Sequence, residues 1–177
     1  MSGWVGVVAL ALVALAFVGY LSMTAGRLDH LHRRIESARS TLDAHLLRRA
    51  TVSAELGTSA LLDPAASLVL AASAHDASRP DLDDGARMQA ESDLTAALVA
   101  ALDPEDVAEV AKVAVGADLL GDLAAACRRV QLSRRFHNDA VRACRQVRRQ
   151  RLVRLFRLAG HTAMPQPWEM DDSTPLG

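Results

Sequence analysis

The feature that most constrains this chain is a run of 20 residues from Trp4 to Met23 (WVGVVALALVALAFVGYLSM) without a single charged side chain. At about 1.5 Å per helical residue such a run covers roughly 30 Å, the thickness of a bilayer's hydrocarbon layer. The stretch reads as a membrane-spanning helix, with the lipid bilayer as its partner from Trp4 to Met23. A secretory signal would place Lys or Arg ahead of a shorter apolar run. Here only Met1, Ser2 and Gly3 come first, so a retained anchor is expected. Trp4 and Tyr20 fall near the two ends of the run, where amphipathic rings suit the headgroup region. Arg27, Arg33, Arg34 and Arg39 follow it against Asp29 and Glu36. The positive-inside bias then puts the N-terminus outside and the body in the cytoplasm.

The body is expected to be all-α. Hydrophobic residues make up 50 % of the chain but aromatic ones only 3 %, so the core must be built from Ala, Leu and Val. Leu28, Leu31, Ile35, Ala38, Leu42, Leu46 and Leu56 recur at helical spacing, which makes the first helix of the body an extension of the anchor. Gly57-Thr-Ser59 interrupts it, and Asp63-Pro64 is a helix start, with a carboxylate over free amides and a proline where no N–H is needed. That helix should end near His75 or Ala77, before the breaker-rich run Ser78–Gly85. A further helix is expected over 86–102, with Met88, Leu94, Ala97, Leu98 and Ala101 on one face. Asp103-Pro104 opens another.

The longest helix is predicted over 118–159, capped by Gly160 and striped by Leu123, Cys127, Val130, Ala140, Val141, Cys144, Val147, Leu155 and Leu158. The architecture expected is one transmembrane helix running into an antiparallel bundle of about four long helices. Its parts are an anchor over 1–26, a bundle over 27–160 and an extended, proline-containing tail over 161–177. Cys127 and Cys144 lie 17 positions apart on one helix, about 25 Å, too far for the roughly 7 Å of a disulfide. Free buried thiols suit a reducing compartment.

Charge is segregated along the body. Between Arg128 and Arg157 stand eleven arginines and one acid, Asp139, whereas between Asp63 and Asp122 thirteen acids face only Arg79, Arg87 and Lys112. Packing the basic helix against the acidic ones is the first reading of that pattern. The second is phosphate binding, to anionic lipid or nucleic acid, over a surface of Arg128, Arg135, Arg142 and Arg149. Only Phe136 and Phe156 interleave the arginines, which argues against nucleic acid. Arg134, Arg148 and Arg151 fall within the apolar stripe. Arg134 in particular is expected between helices, bonded to a carboxylate or to carbonyl oxygens, because an unpaired buried charge is very costly.

An anchor, then Leu46-Leu-Arg-Arg-Ala50, then Ser133-Arg-Arg-Phe-His-Asn-Asp-Ala-Val141 on a late helix, resembles the LemA family of bacterial membrane proteins. Arg48 and Arg49 match its basic element after the anchor. Arg134, Asn138 and Val141 match its late element, with His137 where tyrosine is usual. A second Tyr-Asn pair gives way to Cys144-Arg145, and the family's Ile-Pro-Asn-Leu to residues 52–56. The ending, from Leu158 through Pro165 to Asp172, is similar to that of a high-GC bacterial branch. The resemblance implies a cytoplasm-facing helical bundle on one span and names no reaction.

No P-loop, G-x-G-x-x-G, H-E-x-x-H, G-x-S-x-G or C-x-x-C occurs. His30 and His32 point to different sides of a helix, so neither a metal nor any other cofactor is expected. His137 is expected to be a structural histidine, and Asn138 to fix register by an interhelical hydrogen bond. The function expected is that of a non-enzymatic scaffold or interaction module with an unidentified protein partner. Binding of anionic lipid or nucleic acid through 128–157 is the alternative.

Overall fold

The computed structural model describes residues 2–160 and 162–173. His161 and residues 174–177, with Pro175 of the expected tail, lie outside them. Among the described residues the chain is all-α, with six helices and no strand: α1 (Ser2–Thr58), α2 (Pro64–Ala77), α3 (Asp84–Ala101), α4 (Pro104–Val110), α5 (Ala114–Arg148) and α6 (Arg151–Leu155). Two compact units divide the chain, Met1–Ser37 with Asp139–Pro167 and Ala38–Asn138 with Trp168–Gly177.

In the first unit the N-terminal part of α1 is the one helix, among the described residues, that is long and apolar enough to cross a membrane. Every residue from 4 to 20 is exposed, which for Val, Leu and Phe is the opposite of what a water-soluble helix does. Further along α1, Leu28, Leu31 and Ile35 pack with Ala143, Cys144, Val147, Val153 and Leu158.

The late helix departs from the expected 42-residue rod. It begins earlier, at Ala114, stops at Arg148, and resumes as the single turn α6 after Gln150, whose φ of −63° and ψ of 138° are extended. No glycine or proline forces the break. It turns Val153 inward against the Leu28 cluster and leaves Leu155 exposed, so Leu155 does not belong to the buried stripe. The return segment is held to the helix end by the Arg148 guanidinium, which donates to Thr162 O at 2.6 Å and Ala163 O at 2.7 Å. Gly160 does adopt the left-handed φ of 58°, but it follows α6 rather than capping the long helix, and the longest helix is α1.

In the second unit three aspartates start helices as their positions demand. Asp63 accepts from the amides of Ala65 and Ala66, Asp83 from that of Ala86, and Asp103 from those of Glu105 and Asp106. Each such cap is worth about 1 kcal/mol. Leucine, valine and alanine fill the core: Val52 and Leu56 of α1, Leu70 of α2, Leu94 and Leu98 of α3, and Leu123 of α5. α1 and α2 approach so closely at Gly57 that a β-carbon there would sit 3.0 Å from Ala71 N. Ala60, in the turn after α1, takes a φ of 58° that an L side chain adopts only with strain.

Candidate functional site

The second unit contains a groove formed by α1, α3 and α5, and the segment Trp168–Ser173 lies in it. These residues have no regular secondary structure, so every polar backbone group must find a partner elsewhere. The groove supplies side chains for that purpose. Asn138 of α5 meets the Trp168 backbone with both ends of its amide: Nδ2 donates to Trp168 O at 3.0 Å, and Oδ1 accepts from Trp168 N at 2.7 Å. Met88 Sδ accepts from Glu169 N at 3.1 Å, and Ser92 Oγ from Asp171 N at 3.1 Å. Gln131 donates to Asp172 O at 2.7 Å.

The side chains of the segment are read as well. Trp168 is 1 % exposed, seated among Leu42, Leu46 and Val130 with Met88 and Met170 at the edge. The Arg39 guanidinium lies 3.8 Å from the centroid of the indole, in cation–π geometry. Arg39 itself is held by Asp43 and Asp84. The indole N–H donates to Met170 Sδ at 3.2 Å. Arg134 grips Asp172 through two parallel bonds of 2.8 Å, from Nε and Nη2 to the two carboxylate oxygens. This fork geometry is the strongest form of an Arg–carboxylate contact. The Ser173 amide, followed by its hydroxyl, bonds the neighbouring Asp171 carboxyl and holds it below the usual range.

Beneath the groove lies a buried ion pair. Arg49 is 1 % exposed and Glu91 is fully buried, with Nη2 at 2.6 Å from Oε2. Arg49 Nη2 also donates to Glu91 O at 2.9 Å, and Nη1 to Thr95 Oγ1 at 3.1 Å. The Thr95 hydroxyl shares its one proton between Asp171 O at 2.9 Å and Glu91 O at 3.0 Å. A continuous polar chain therefore runs from Glu91 through Arg49 and Thr95 to the docked backbone. Burial pushes the Glu91 carboxyl above its ordinary range, and the attraction of Arg49 only partly opposes that.

The expected motif residues are thus brought together in part. Arg49, Arg134 and Asn138 converge on the groove or its floor. Arg48 is exposed and paired with Asp122 at 2.8 Å. His137 is buried in the second unit and Val141 in the first. Asn138 reaches the backbone of residue 168 and not another helix, and Arg134 meets its carboxylate on that same segment and not between helices. In both cases the extended segment offers at close range what a helix would have supplied.

The expected pairing of the two charge blocks is also corrected. The acids of 63–122 pair with arginines of α1, in Arg39–Asp84, Arg48–Asp122 and Arg49–Glu91. Of the late arginines, among the described residues, only Arg134 and Arg142 have carboxylate partners, the latter in Asp139 on its own helix. Arg128, Arg135 and Arg149 are exposed, as is Arg142.

Glu91, Thr95 and Trp168 were not singled out from the sequence, and Arg39 was read only as part of the basic flank beyond the uncharged run. The one signal toward the docked segment was Arg134 inside an apolar stripe, which demanded a carboxylate and finds it in Asp172. No family model matches this chain, and no curated protein or solved structure matches it either.

Proposed function

We propose that this chain is a membrane-anchored, non-enzymatic scaffold whose body recognises an extended protein segment bearing a tryptophan followed by acidic residues. Its own residues 168–172 fill that role in cis. The observation that carries this reading is the pair of hydrogen bonds between the Asn138 amide and the Trp168 backbone, above a pocket that buries the indole. Side chains that satisfy both backbone polar groups of one residue, an aromatic anchor and a bidentate arginine are how extended peptides are bound with specificity. The apolar, exposed residues 4–20 support a bilayer span for the anchor. Arg27, Arg33, Arg34 and Arg39 beyond it, and two free buried cysteines, support a cytoplasmic body. The resemblance to LemA proteins points to the same placement.

A peptide of residues 165–173, labelled with a fluorophore, tests this. Added to the detergent-solubilised chain ending at Gly160, it is expected to bind saturably, whereas the same peptide with Trp168→Ala does not. The intact chain, its groove filled, is expected to bind far less. A truncated chain that keeps its helical circular dichroism yet ignores the peptide would overturn the reading. If truncation unfolds the body, a protease site placed within 162–166 of the full chain and cut after folding gives the same answer, by exchange of the cut tail for labelled peptide.

A further inference from the structure

The far end of the first unit carries a second constellation. After the break at Gln150, α6 and the turn beyond it leave Leu155 73 % and Phe156 45 % exposed. The Phe156 ring packs edge-on against Phe17 of α1, with centroids 5.4 Å apart and planes inclined by 66°. Phe17 stands six residues before Met23 and ten before Arg27, the first charged residue, and so about 9 Å below Met23 along a helix. A ring in contact with Phe17 sits at acyl-chain depth, where exposed Leu and Phe are favoured rather than penalised. Charged residues surround these apolar ones. Arg149, Arg151, Arg154 and Arg157 have no carboxylate partner among the described residues. Arginine stems of this length lie along apolar surface and carry their charge up to the headgroup level.

Between them is a cavity of about 400 Å³ lined by Arg148, Arg149, Arg154 and Arg157, with Val153 and Met164 as apolar wall. Arg148 is committed to the Thr162 and Ala163 carbonyls and fixes one side. Arg149, Arg154 and Arg157 line the rest of the cavity and have no carboxylate partner among the described residues. We infer that this cavity is a site for the headgroup phosphate of an anionic phospholipid, with α6 lodged in the interface and the lipid's chains against Leu155 and Phe156. The inference rests on the reading of residues 4–23 as a bilayer span, and it assigns lipid contact to the arginines of the first unit alone.

The full-length chain, purified in detergent and equilibrated with equal amounts of phosphatidylglycerol and phosphatidylcholine, is expected to retain phosphatidylglycerol preferentially. Retained lipid per chain is counted by mass spectrometry. The enrichment should fall by roughly five-fold per arginine in R154Q/R157Q. It should persist in R128Q/R135Q, which removes the same charge from the second unit. Equal losses in both pairs, no preference in the parent chain, or displacement of the lipid by millimolar inorganic phosphate would each overturn the inference. Nitroxide labels at L12C and F156C in vesicles separate the two layers of the claim and do not depend on the arginine variants folding. Both labels are expected to be more accessible to oxygen than to a water-soluble nickel chelate. F156C in water with L12C in the bilayer would sink the headgroup site alone, and both labels in water would sink the span and the site together.

Discussion

The two units handle the same two residue types, leucine-like side chains and arginine, in opposite ways. In the second unit the core leucines, Leu42, Leu46, Leu56, Leu70, Leu94 and Leu98 among them, are buried and each inward arginine has a built partner: Arg49 its Glu91, Arg134 its Asp172, Arg39 its indole and two aspartates. In the first unit the apolar side chains of residues 4–20 are exposed, and Arg149, Arg151, Arg154 and Arg157 have no carboxylate partner among the described residues. Residue type therefore does not decide the environment. Protein surroundings must satisfy every buried polar group, whereas the proposed lipid and headgroup surroundings of the first unit would take apolar surface and cationic tips directly.

The sharpest way to break this contrast is to substitute one arginine from each unit. Arg49→Met leaves the Glu91 carboxylate buried beside no cation, and a loss of about 3–5 kcal/mol is expected in chemical unfolding followed by circular dichroism. Arg151→Gln, on the open side, should change stability by no more than about 0.5 kcal/mol. The double variant R49M/E91L should recover most of the loss, because the desolvation of both charges disappears with them.

The same pair carries a pH signature. Burial raises the Glu91 carboxyl above its ordinary 4.5, so the folded chain holds that proton more tightly than the unfolded chain does. Its contribution is then fully present below pH 4.5 and declines as pH rises through the raised value. Unfolding free energies of the parent minus those of Glu91→Gln, which cancel the other carboxylates, should fall as pH rises from that point. A rising difference would mean that the attraction of Arg49 outweighs burial.

At the groove, Asn138→Ala removes both hydrogen bonds to the Trp168 backbone and should weaken docking of the segment by about 1–3 kcal/mol. Faster proteolysis within 162–167, with the unfolding midpoint of the body little changed, is the expected readout. One substitution should bring a gain. Ala60→Gly relieves a left-handed φ and should stabilise the second unit by up to about 1 kcal/mol in the same unfolding experiment.

How far the sequence foretold this arrangement depended on the kind of interaction. Local rules were legible: Asp63-Pro64 and Asp103-Pro104 open helices as their chemistry requires, α1 ends at Thr58 beside the expected interruption, and the uncharged run is an exposed apolar helix. The end of α5 was not legible, because Arg148-Arg-Gln150 contains no helix breaker. The chain turns there for the sake of Val153 and the Thr162 and Ala163 carbonyls, which are tertiary contacts. The groove was half legible. Arg134 and Asn138 were marked as residues needing partners, yet helical periodicity could propose only other helices. Trp168, a single tryptophan in a proline-containing segment, offered no period to read. Glu91 looked like one more surface acid on α3, and nothing short of the packing at Arg49 reveals it as buried.

Hydrogen exchange at the amides of Trp168, Glu169 and Asp171 in the full chain, held in lipid nanodiscs, tests the docked segment most directly. Each of these amides donates to a groove side chain, Asn138, Met88 and Ser92 in turn. All three are expected to be protected in the parent chain and to lose protection together in Asn138→Ala. Exchange of all three at the rate of an unstructured peptide in the parent chain would contradict the recognition of this segment by the bundle.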